Sequence, residues 1–297
     1  MIGVDWGTTQ LRAYRIDASG RVLASRSAPK GIMAVQNGAF AQTLEEAIGD
    51  WLDQEAEPIL MSGMIGSRQG WVEAPYALCP ARPAQVAQAL VEVTWGSGRR
   101  GFICPGLTCR DRDGVPDVMR GEEVQMFGAL DALAGAAGSA ICHPGTHSKH
   151  VKIEDGAVAG FRTYMTGEVF SVLREHSILG RTMAEGPPDW QAFEQGVARA
   201  SNSGGLLHHL FGARTRVLMS ELAPAAEADY LSGMLIGHEI HAAGGTGPVL
   251  VVGAQALAER YQRAFQLCGR DARVLDGEIA TVQGLRLIHD LARKAAS

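Results

Sequence analysis

The strongest constraint on this chain is a pattern that occurs twice. Asp5-Trp6-Gly7-Thr8-Thr9-Gln10 ends a short apolar run, leads into the alternating stretch Leu11–Ile16 and reaches a turn at Asp17-Ala18-Ser19-Gly20. His143-Pro144-Gly145-Thr146-His147-Ser148-Lys149 leads in the same way into Val151-Lys152-Ile153-Glu154 and a turn at Gly156. Gly7-Thr8 matches Gly145-Thr146, Ile16 matches Ile153 and Gly20 matches Gly156, and the offset drifts only from 138 to 136 residues. Each copy reads as a strand, a Gly-Thr turn and a hairpin. Two such openings in one chain predict two related lobes facing each other.

The remaining pattern agrees with that division. A helix is expected from about Phe40 to Leu52, with Phe40, Leu44, Ile48 and Trp51 on one face. Strands are expected at Pro58–Met61, Phe102–Pro105, Val249–Val252 and Arg273–Leu275. Helices are expected at Pro83–Val91, from Gly121 through Leu133, from Ala226 to His241, from Ala254 to Leu267, and from Glu278 to the C-terminus. Ser62 to Trp71 and Thr108 to Pro116 read as loops, and the Gly-rich stretch Gly135–Gly138 precedes a second strand-rich segment. Strands alternating with helices give the α/β class. At 297 residues the chain suits two domains.

Composition removes several function classes. Lys plus Arg is 27 against 32 Asp plus Glu, a net charge of -5, which argues against a nucleic-acid partner. No apolar run approaches the ~20 residues of a membrane-spanning helix, and the first residues carry no secretory pattern. Five sparse cysteines with no C-x-x-C pair suit free thiols in a reducing cytosol and give no zinc framework. The expected location is therefore the cytoplasm.

A Gly-Thr hairpin tip can hold phosphate, because glycine admits close approach and successive N–H groups with hydroxyls form an anion-binding concavity. Two tips, one per lobe, would grip the phosphates of a nucleotide, and Asp5 at the end of the first strand would face its cation, through water. Glu122 and Glu123 at a helix start are favoured by the helix dipole alone. One of them is also a candidate general base for a hydroxyl attacking phosphorus, with Asp117 as a competitor. The loop at residues 62–76 is dense in polar and glycine residues just after a strand, where open α/β sheets bind ligands. Arg68 suits a carboxylate, and Ser67 and Gln69 suit hydroxyls.

Other motifs are weaker. Gly96-Ser97-Gly98-Arg99-Arg100-Gly101 satisfies G-x-G-x-x-G but precedes a strand, so it reads as a connection. G-x-x-x-x-G-K-[ST] and G-x-S-x-G are absent. His238-Glu239-Ile240-His241 is one residue short of a zinc-protease motif and reads as a helix face. His143, His147 and His150 share their stretch with Lys149, which repels a cation.

Together these segments resemble the acetate and sugar kinase, heat-shock chaperone and actin superfamily. Asp5-Trp6-Gly7-Thr8-Thr9 resembles its first phosphate motif and Pro144-Gly145-Thr146-His147-Ser148-Lys149 its second. Gly121-Glu122-Glu123-Val124-Gln125 resembles its connector, and Val249-Leu250-Val251-Val252-Gly253-Ala254 its adenosine motif. Gly63–Trp71, Pro75-Tyr76 and Asp117–Glu123 further resemble the 2-keto-3-deoxygalactonokinase family. Two departures are His150, where a Trp is expected, and His143, where an apolar residue is usual.

The resemblance implies two ribonuclease-H-like lobes of the actin-like ATPase fold around a central cleft. The implied division is 1–118, holding the sugar acid and the first phosphate motif, and 119–297, holding the second phosphate and adenosine motifs. The C-terminal helix 279–297 can pack back on the first lobe. The implied reaction is phosphorylation of 2-dehydro-3-deoxy-D-galactonate by ATP with Mg²⁺. Glu122 is the implied base and Asp5 the magnesium residue, while Gly7, Thr8, Thr9, Gly145, Thr146, His147, Ser148 and Lys149 are expected on phosphate. Gly253 and Ala254 are expected on adenosine, and Ser67, Arg68, Gln69, Trp71 and Tyr76 on the acid. The expected partners are ATP and a small keto-deoxy sugar acid, with no nucleic acid and no membrane, and a homodimer is left open. A kinase for another keto-deoxy or aldonic acid, or a nucleotide-binding regulator without a sugar substrate, are the competing readings.

Overall fold

The computed structural model describes residues 1–52, 59–96, 98–133 and 140–296. Pro58, Ser97 and the Gly135–Gly138 stretch lie outside the described residues. Contacts divide the chain into two compact units: Met1–Ala134 with Lys152–Phe161 and Asp276–Ser297, and Gly135–Val151 with Arg162–Leu275.

In the first unit, β1 (Ile2–Trp6), β2 (Leu11–Ile16) and β3 (Val22–Ala28) form an antiparallel meander, followed by helix α1 (Phe40–Leu52) and strand β4 (Ile59–Ser62). Strand β5 (Tyr76–Leu78), helix α2 (Pro83–Gln88), strands β6 (Val91–Trp95), β7 (Arg99–Ile103), β8 (Gly106–Arg110) and β9 (Pro116–Met119), and helix α3 (Glu122–Gly128) complete the run. The main sheet has the order β3-β2-β1-β4-β7-β6, with β1, β4 and β7 parallel. A smaller sheet has the order β5-β8-β9. The main core joins Ile2, Val4 and Trp6 of β1 to Phe40, Leu44, Ile48 and Trp51 of α1, the expected face. Each such fully buried side chain stabilises the fold by about 1.5–3 kcal/mol.

The second unit begins with β10 (Ala140–His143), β11 (Ser148–Glu154) and β12 (Ala157–Tyr164), whose segment 152–161 counts with the first unit. Helices α4 (Thr166–His176), α5 (Trp190–Ala200), α6 (Gly205–Leu218) and α7 (Glu227–Ala243) follow, then β13 (Val249–Gly253), α8 (Gln255–Leu267), β14 (Ala272–Asp276) and α9 (Gly277–Ala296). The sheet order is β12-β11-β10-β13-β14, with β10 and β13 parallel. Placed beside β3-β2-β1-β4-β7, this is the same five-strand plan, so the repeated motif marks a repeated topology: two ribonuclease-H-like units of the actin-like ATPase fold. Its core gathers Cys142, Phe193, Ile236, Val251, Tyr261 and Phe265.

Glycines let the principal helix pairs meet backbone to backbone. A Cβ on Gly196 of α5 would lie 2.1 Å from the Tyr230 carbonyl oxygen of α7, and one on Gly233 of α7 would lie 2.0 Å from that of Phe193. In the first unit, a Cβ on Gly128 of α3 would lie 1.9 Å from the Ala280 oxygen of α9, and one on Gly284 the same distance from the Val124 oxygen. Helix α3, just past residue 118, is thereby seated on the C-terminal helix within one unit.

Several expected elements change. The helix expected over Pro83–Val91 stops at Gln88, because Val91–Trp95 is a strand that buries Val93 and Trp95 alternately. The loop expected over Thr108–Pro116 is mostly a hairpin: β8 buries Leu107 and Cys109 while its polar residues face out. The apolar helix expected to run through Leu133 ends at Gly128 and resumes as a short 3-10 turn at Asp131–Leu133. The G-x-G-x-x-G segment joins two antiparallel strands, β6 and β7, as a connection should. The cysteines are free, and no described helix is long and apolar enough to cross a membrane.

The α3–α9 contact yields a test. On propensity alone Gly284→Ala would stabilise a helix by up to about 1 kcal/mol. Here the new methyl group meets backbone, so overpacking of about 1–3 kcal/mol wins. The expected result is a Tm lowered by several degrees in a thermal melt; an unchanged or raised Tm would show that the two helices are not in contact at this residue.

Candidate functional site

In the first unit three chain segments converge on Asp5. Asp5 is next to last in β1 and pairs with Ser62 at the end of the parallel strand β4. Directly after β4, Gly63 has φ +96°, and a Cβ there would sit 2.7 Å from the Trp6 oxygen and 3.3 Å from Asp5 Oδ1. Gly121, with φ +105°, precedes α3, and its Cβ would sit 3.0 Å from the Gly63 Cα. Both backbone conformations favour glycine, and both contacts leave no room for a side chain. Glu122, the first residue of α3, follows directly on that contact, and its charge is felt at Asp5.

The electrostatics follow from that crowding. Arg12 Nη1 donates to Asp5 Oδ2 at 3.3 Å. Burial nevertheless pushes the Asp5 carboxyl up, the Glu122 carboxylate adds to the rise, and Arg12 only partly opposes it. The Arg12 charge does not fully offset the burial of Asp5, an environment in which a further positive charge would favour the carboxylate. Glu122 Oε2 accepts the Arg120 N–H at 3.0 Å, and Glu123 Oε2 accepts the Gly121 N–H at 2.6 Å. The two adjacent carboxyls thereby accept from the two amides that directly precede α3.

The three candidate bases now separate. Glu123 is fully buried, its Oε1 has no hydrogen-bond partner, and burial with the neighbouring Glu122 pushes its carboxyl up to about 8. Asp117 is on β9, where its Oδ1 accepts the Val118 N–H at 2.8 Å. Asp117 and Glu122 are both half-buried, and of the three candidates Glu122 is the one whose charge is felt at Asp5.

The loop at residues 62–76 divides. Arg68 is exposed and its Nε donates to Glu73 Oε1 at 2.9 Å; Gln69 is exposed as well. Ser67 Oγ is buried without a hydrogen-bond partner. Trp71 lies against the core, its ring stacked 6.5 Å from Phe40 and edge-on 5.3 Å from Trp95. Tyr76 is 41% exposed, with the Arg120 guanidinium 4.2 Å from its ring centre. Arg120 was assigned no role in the sequence. It is buried, donates to the Ala74 oxygen at 2.7 Å and leaves Nε and Nη1 without acceptors. The signal for it was a charge placed directly before the Gly-Glu-Glu cap.

The first Gly-Thr turn closes through Gly7 N–H to the Gln10 oxygen at 2.9 Å, with Thr8 and Thr9 exposed. In the second unit, the Gly145-Thr146-His147 turn lies against the start of α4: the Glu168 N–H donates to the Thr146 oxygen at 3.0 Å, and His147 pairs with the Glu168 carboxylate. Gly7, Gly145 and Gly253 differ from Gly63 and Gly121. A Cβ at any of the three meets nothing closer than 3.6 Å, and none has a left-handed backbone. The fold alone does not require glycine there, and the space that a side chain would fill remains open.

Ser148 and Lys149 point inward. Lys149 is 5% exposed and its Nζ donates to Thr163 Oγ1 at 2.9 Å. Ser148 is fully buried, with Oγ 2.8 Å from the Tyr261 hydroxyl. That hydroxyl donates to Glu239 Oε2 at 2.7 Å, and Tyr has one proton to give. Ser148 must therefore be the donor to Tyr261, and its hydroxyl proton is committed to the core. A cavity of about 340 Å³ opens beside the second turn, lined by Gly145, Gly167, Phe170, Leu257 and Tyr261, with the Asp229–Arg260 ion pair at 2.7 Å in its wall. That volume suits a small-molecule ligand. Gly253, against Pro144, and Ala254 are not among its lining residues.

Known proteins are similar to this chain over nearly its whole length. A family model described as 2-keto-3-deoxy-galactonokinase matches residues 5–288. A protein of Rhizobium meliloti (strain 1021) assigned as a 2-dehydro-3-deoxygalactonokinase is 38% identical over 290 residues, covering 95% of this chain and 94% of that protein. The 2-dehydro-3-deoxygalactonokinase of Escherichia coli (strain K12) is 34% identical, covering 97% and 96%. A crystal structure of a Sinorhizobium meliloti protein, also assigned as a 2-dehydro-3-deoxygalactonokinase, superposes with a TM-score of 0.86 at 37% identity, covering 99% of this chain and 98% of that one.

Glu123 gives this site a pH signature. The folded state holds the Glu123 proton up to about pH 8, and the unfolded chain only to the ordinary 4.5. Between those values the unfolded chain binds fewer protons, so stability falls as pH rises, by at most about 1.4 kcal/mol per pH unit. Urea midpoints measured across this window are expected to fall less steeply in Glu123→Gln than in the parent. Parallel slopes would show that Glu123 is ionised and solvated in the fold.

Proposed function

The chain belongs to the 2-keto-3-deoxy-galactonokinase family, and from that premise we propose that it transfers the terminal phosphoryl group of ATP to the 6-hydroxyl of 2-dehydro-3-deoxy-D-galactonate, releasing ADP. The observation that carries the chemistry is the convergence of Glu122 and Asp5 through the Gly63–Gly121 contact.

Glu122 is the general base. Its carboxylate takes the proton of the 6-hydroxyl as that oxygen bonds to phosphorus and the bond from phosphorus to the ADP oxygen breaks. The Arg120 N–H fixes one of its oxygens and so orients the other. Asp5 would hold Mg²⁺, whose charge would offset the burial that raises its carboxyl. When bound, the magnesium ion neutralises the phosphate oxygens and favours in-line transfer. Thr8 and Thr9, with the open face at Gly7, contact phosphate in the first unit. Gly145, Thr146 and His147 do so in the second, while Ser148 and Lys149 brace that turn from beneath. The cavity beside Gly145 takes the nucleoside, and Gly253 keeps the end of β13 bare beside Pro144. In the 62–76 loop the exposed Arg68, with Gln69, Ser67 and Tyr76, meets the sugar acid, its guanidinium exchanging Glu73 for the substrate carboxylate. Trp71 backs that loop. The residues assigned to the acid and to its base are all in the first unit, those assigned to the nucleoside in the second, and the chain works in the cytoplasm.

The substrate is tested by ADP release with Mg²⁺-ATP and three acids side by side: 2-dehydro-3-deoxy-D-galactonate, its gluconate epimer and D-galactonate. Turnover is expected with the first at a kcat/KM at least about tenfold above either of the others, a difference of about 1.4 kcal/mol. Preference for another acid would move the specificity, and turnover with none of the three would overturn the kinase reading.

A further inference from the structure

One group of side chains in the second unit is not used by this chemistry. Cys142 on β10 is fully buried, and its Sγ is 3.7 Å from Nε2 of His150 on β11. The same Nε2 is 2.7 Å from Oε1 of Glu239 on α7, and the His150 and Glu239 side chains are 12% and 1% exposed. The sulfur, the nitrogen and a carboxylate oxygen all lie within 4.8 Å of one another, which no other trio of such groups does among the described residues.

We propose that Cys142, His150 and Glu239 form a binding site for one borderline-soft divalent transition metal of the Zn²⁺ class, with water in the fourth position. Thiolate, imidazole and carboxylate together are the donor set such ions prefer, whereas Mg²⁺ and Ca²⁺ prefer oxygen alone. Tetrahedral bonds of about 2.3 Å to sulfur and about 2.0 Å to nitrogen hold those two atoms roughly 3.6 Å apart, which the Cys142–His150 pair already satisfies. The His150–Glu239 pair is closer than two ligands of one ion can be and opens when the ion enters. Burial pushes the Cys142 thiol up, so the entering ion displaces the thiol proton, and any proton on Nε2, to solvent.

The surroundings fit a metal site. Glu239 is oriented by the Tyr261 hydroxyl on its other oxygen, an outer contact of the kind that fixes a metal ligand. The His150 ring is packed edge-on to Tyr164 at 5.2 Å and tilted against Phe265 at 6.1 Å, which sets its direction. The sequence argument against a metal at His143, His147 and His150 rested on Lys149. That argument fails for this site: Lys149 turns to Thr163, His147 turns to Glu168, and the partners of His150 come from Cys142 and the distant Glu239.

The test uses the full chain, stripped of metal with a chelator and titrated with Co²⁺ alone. One equivalent is expected to produce a thiolate-to-cobalt charge-transfer band in the near ultraviolet with the intense visible bands of a tetrahedral ion, both bleached by one equivalent of Zn²⁺. Cys142→Ser should abolish the near-ultraviolet band. His150→Gln, at the ligand with a solvent edge, should retain the parent circular dichroism and weaken Co²⁺ binding by about tenfold or more. Cys79 and Cys268 are only half-buried, which makes the Cys142 variant decisive. No band in the parent at millimolar Co²⁺, a band that survives Cys142→Ser, or unchanged Co²⁺ affinity in a folded His150→Gln would each overturn the proposal. None of these readouts depends on kinase turnover.

Discussion

The proposed chemistry of the first unit depends on two glycines that touch. Gly63 and Gly121 both adopt positive φ, and neither has space for a Cβ. One lets the chain leave β4 across the end of β1; the other lets α3 begin at that same point. Their contact brings an aspartate from the first strand and a glutamate from a helix over a hundred residues later into one electrostatic environment. A methyl group at either position would push the segments apart, and the two carboxylates would lose each other. Behind them, Gly128 and Gly284 seat α3 on α9, so the helix that presents Glu122 is itself held by close backbone packing. Catalytic geometry of this kind is sensitive to sub-ångström displacement, which rigid backbone contacts resist better than flexible side chains.

The second unit uses hydrogen-bond direction where the first uses close packing. The Tyr261 hydroxyl donates to Glu239, and with one proton to give it must accept from Ser148. The strand after the second Gly-Thr turn is thereby tied to α7 and α8 through one buried chain of bonds. The turn itself is left to its backbone, its threonine and the start of α4. Buried polar chains of this kind are costly when broken, because each orphaned group loses its solvation without recompense.

Much of this was legible in the sequence. The repeat of Gly7-Thr8 in Gly145-Thr146 anticipated a repeated sheet order, because the strand, the turn and the hairpin are all local features. The apolar period of Phe40, Leu44, Ile48 and Trp51 gave α1 and its inner face. The β8–β9 hairpin was hidden because its outward residues are charged and make it read as loop. Helices α4 to α6 were not anticipated as separate elements. Helix α4 buries no residue completely and α6 only two, so neither carries a strong stripe. At the site, pattern offered Asp5 for a cation and left Glu122, Glu123 and Asp117 as candidate bases, with Glu122 preferred only by resemblance; the coupling of Glu122 to Asp5 has no local signal, since it depends on the Gly63–Gly121 contact. Ser148 and Lys149, expected on phosphate, are buried, with Ser148 against Tyr261 of α8 and Lys149 against Thr163 of β12, long-range partners that no local pattern announces. The Cys142–His150–Glu239 group spans nearly a hundred residues and has no local signature.

The measurement that tests the central claim most directly is single-turnover phosphoryl transfer by Glu122→Gln, with ATP affinity determined in the same preparation. The carboxylate held beside Asp5 as general base predicts transfer slowed by about 10²–10⁴-fold with ATP affinity little changed. Transfer at the parent rate would contradict it, and would remove Glu122 from the chemistry while leaving the fold and the family as they stand.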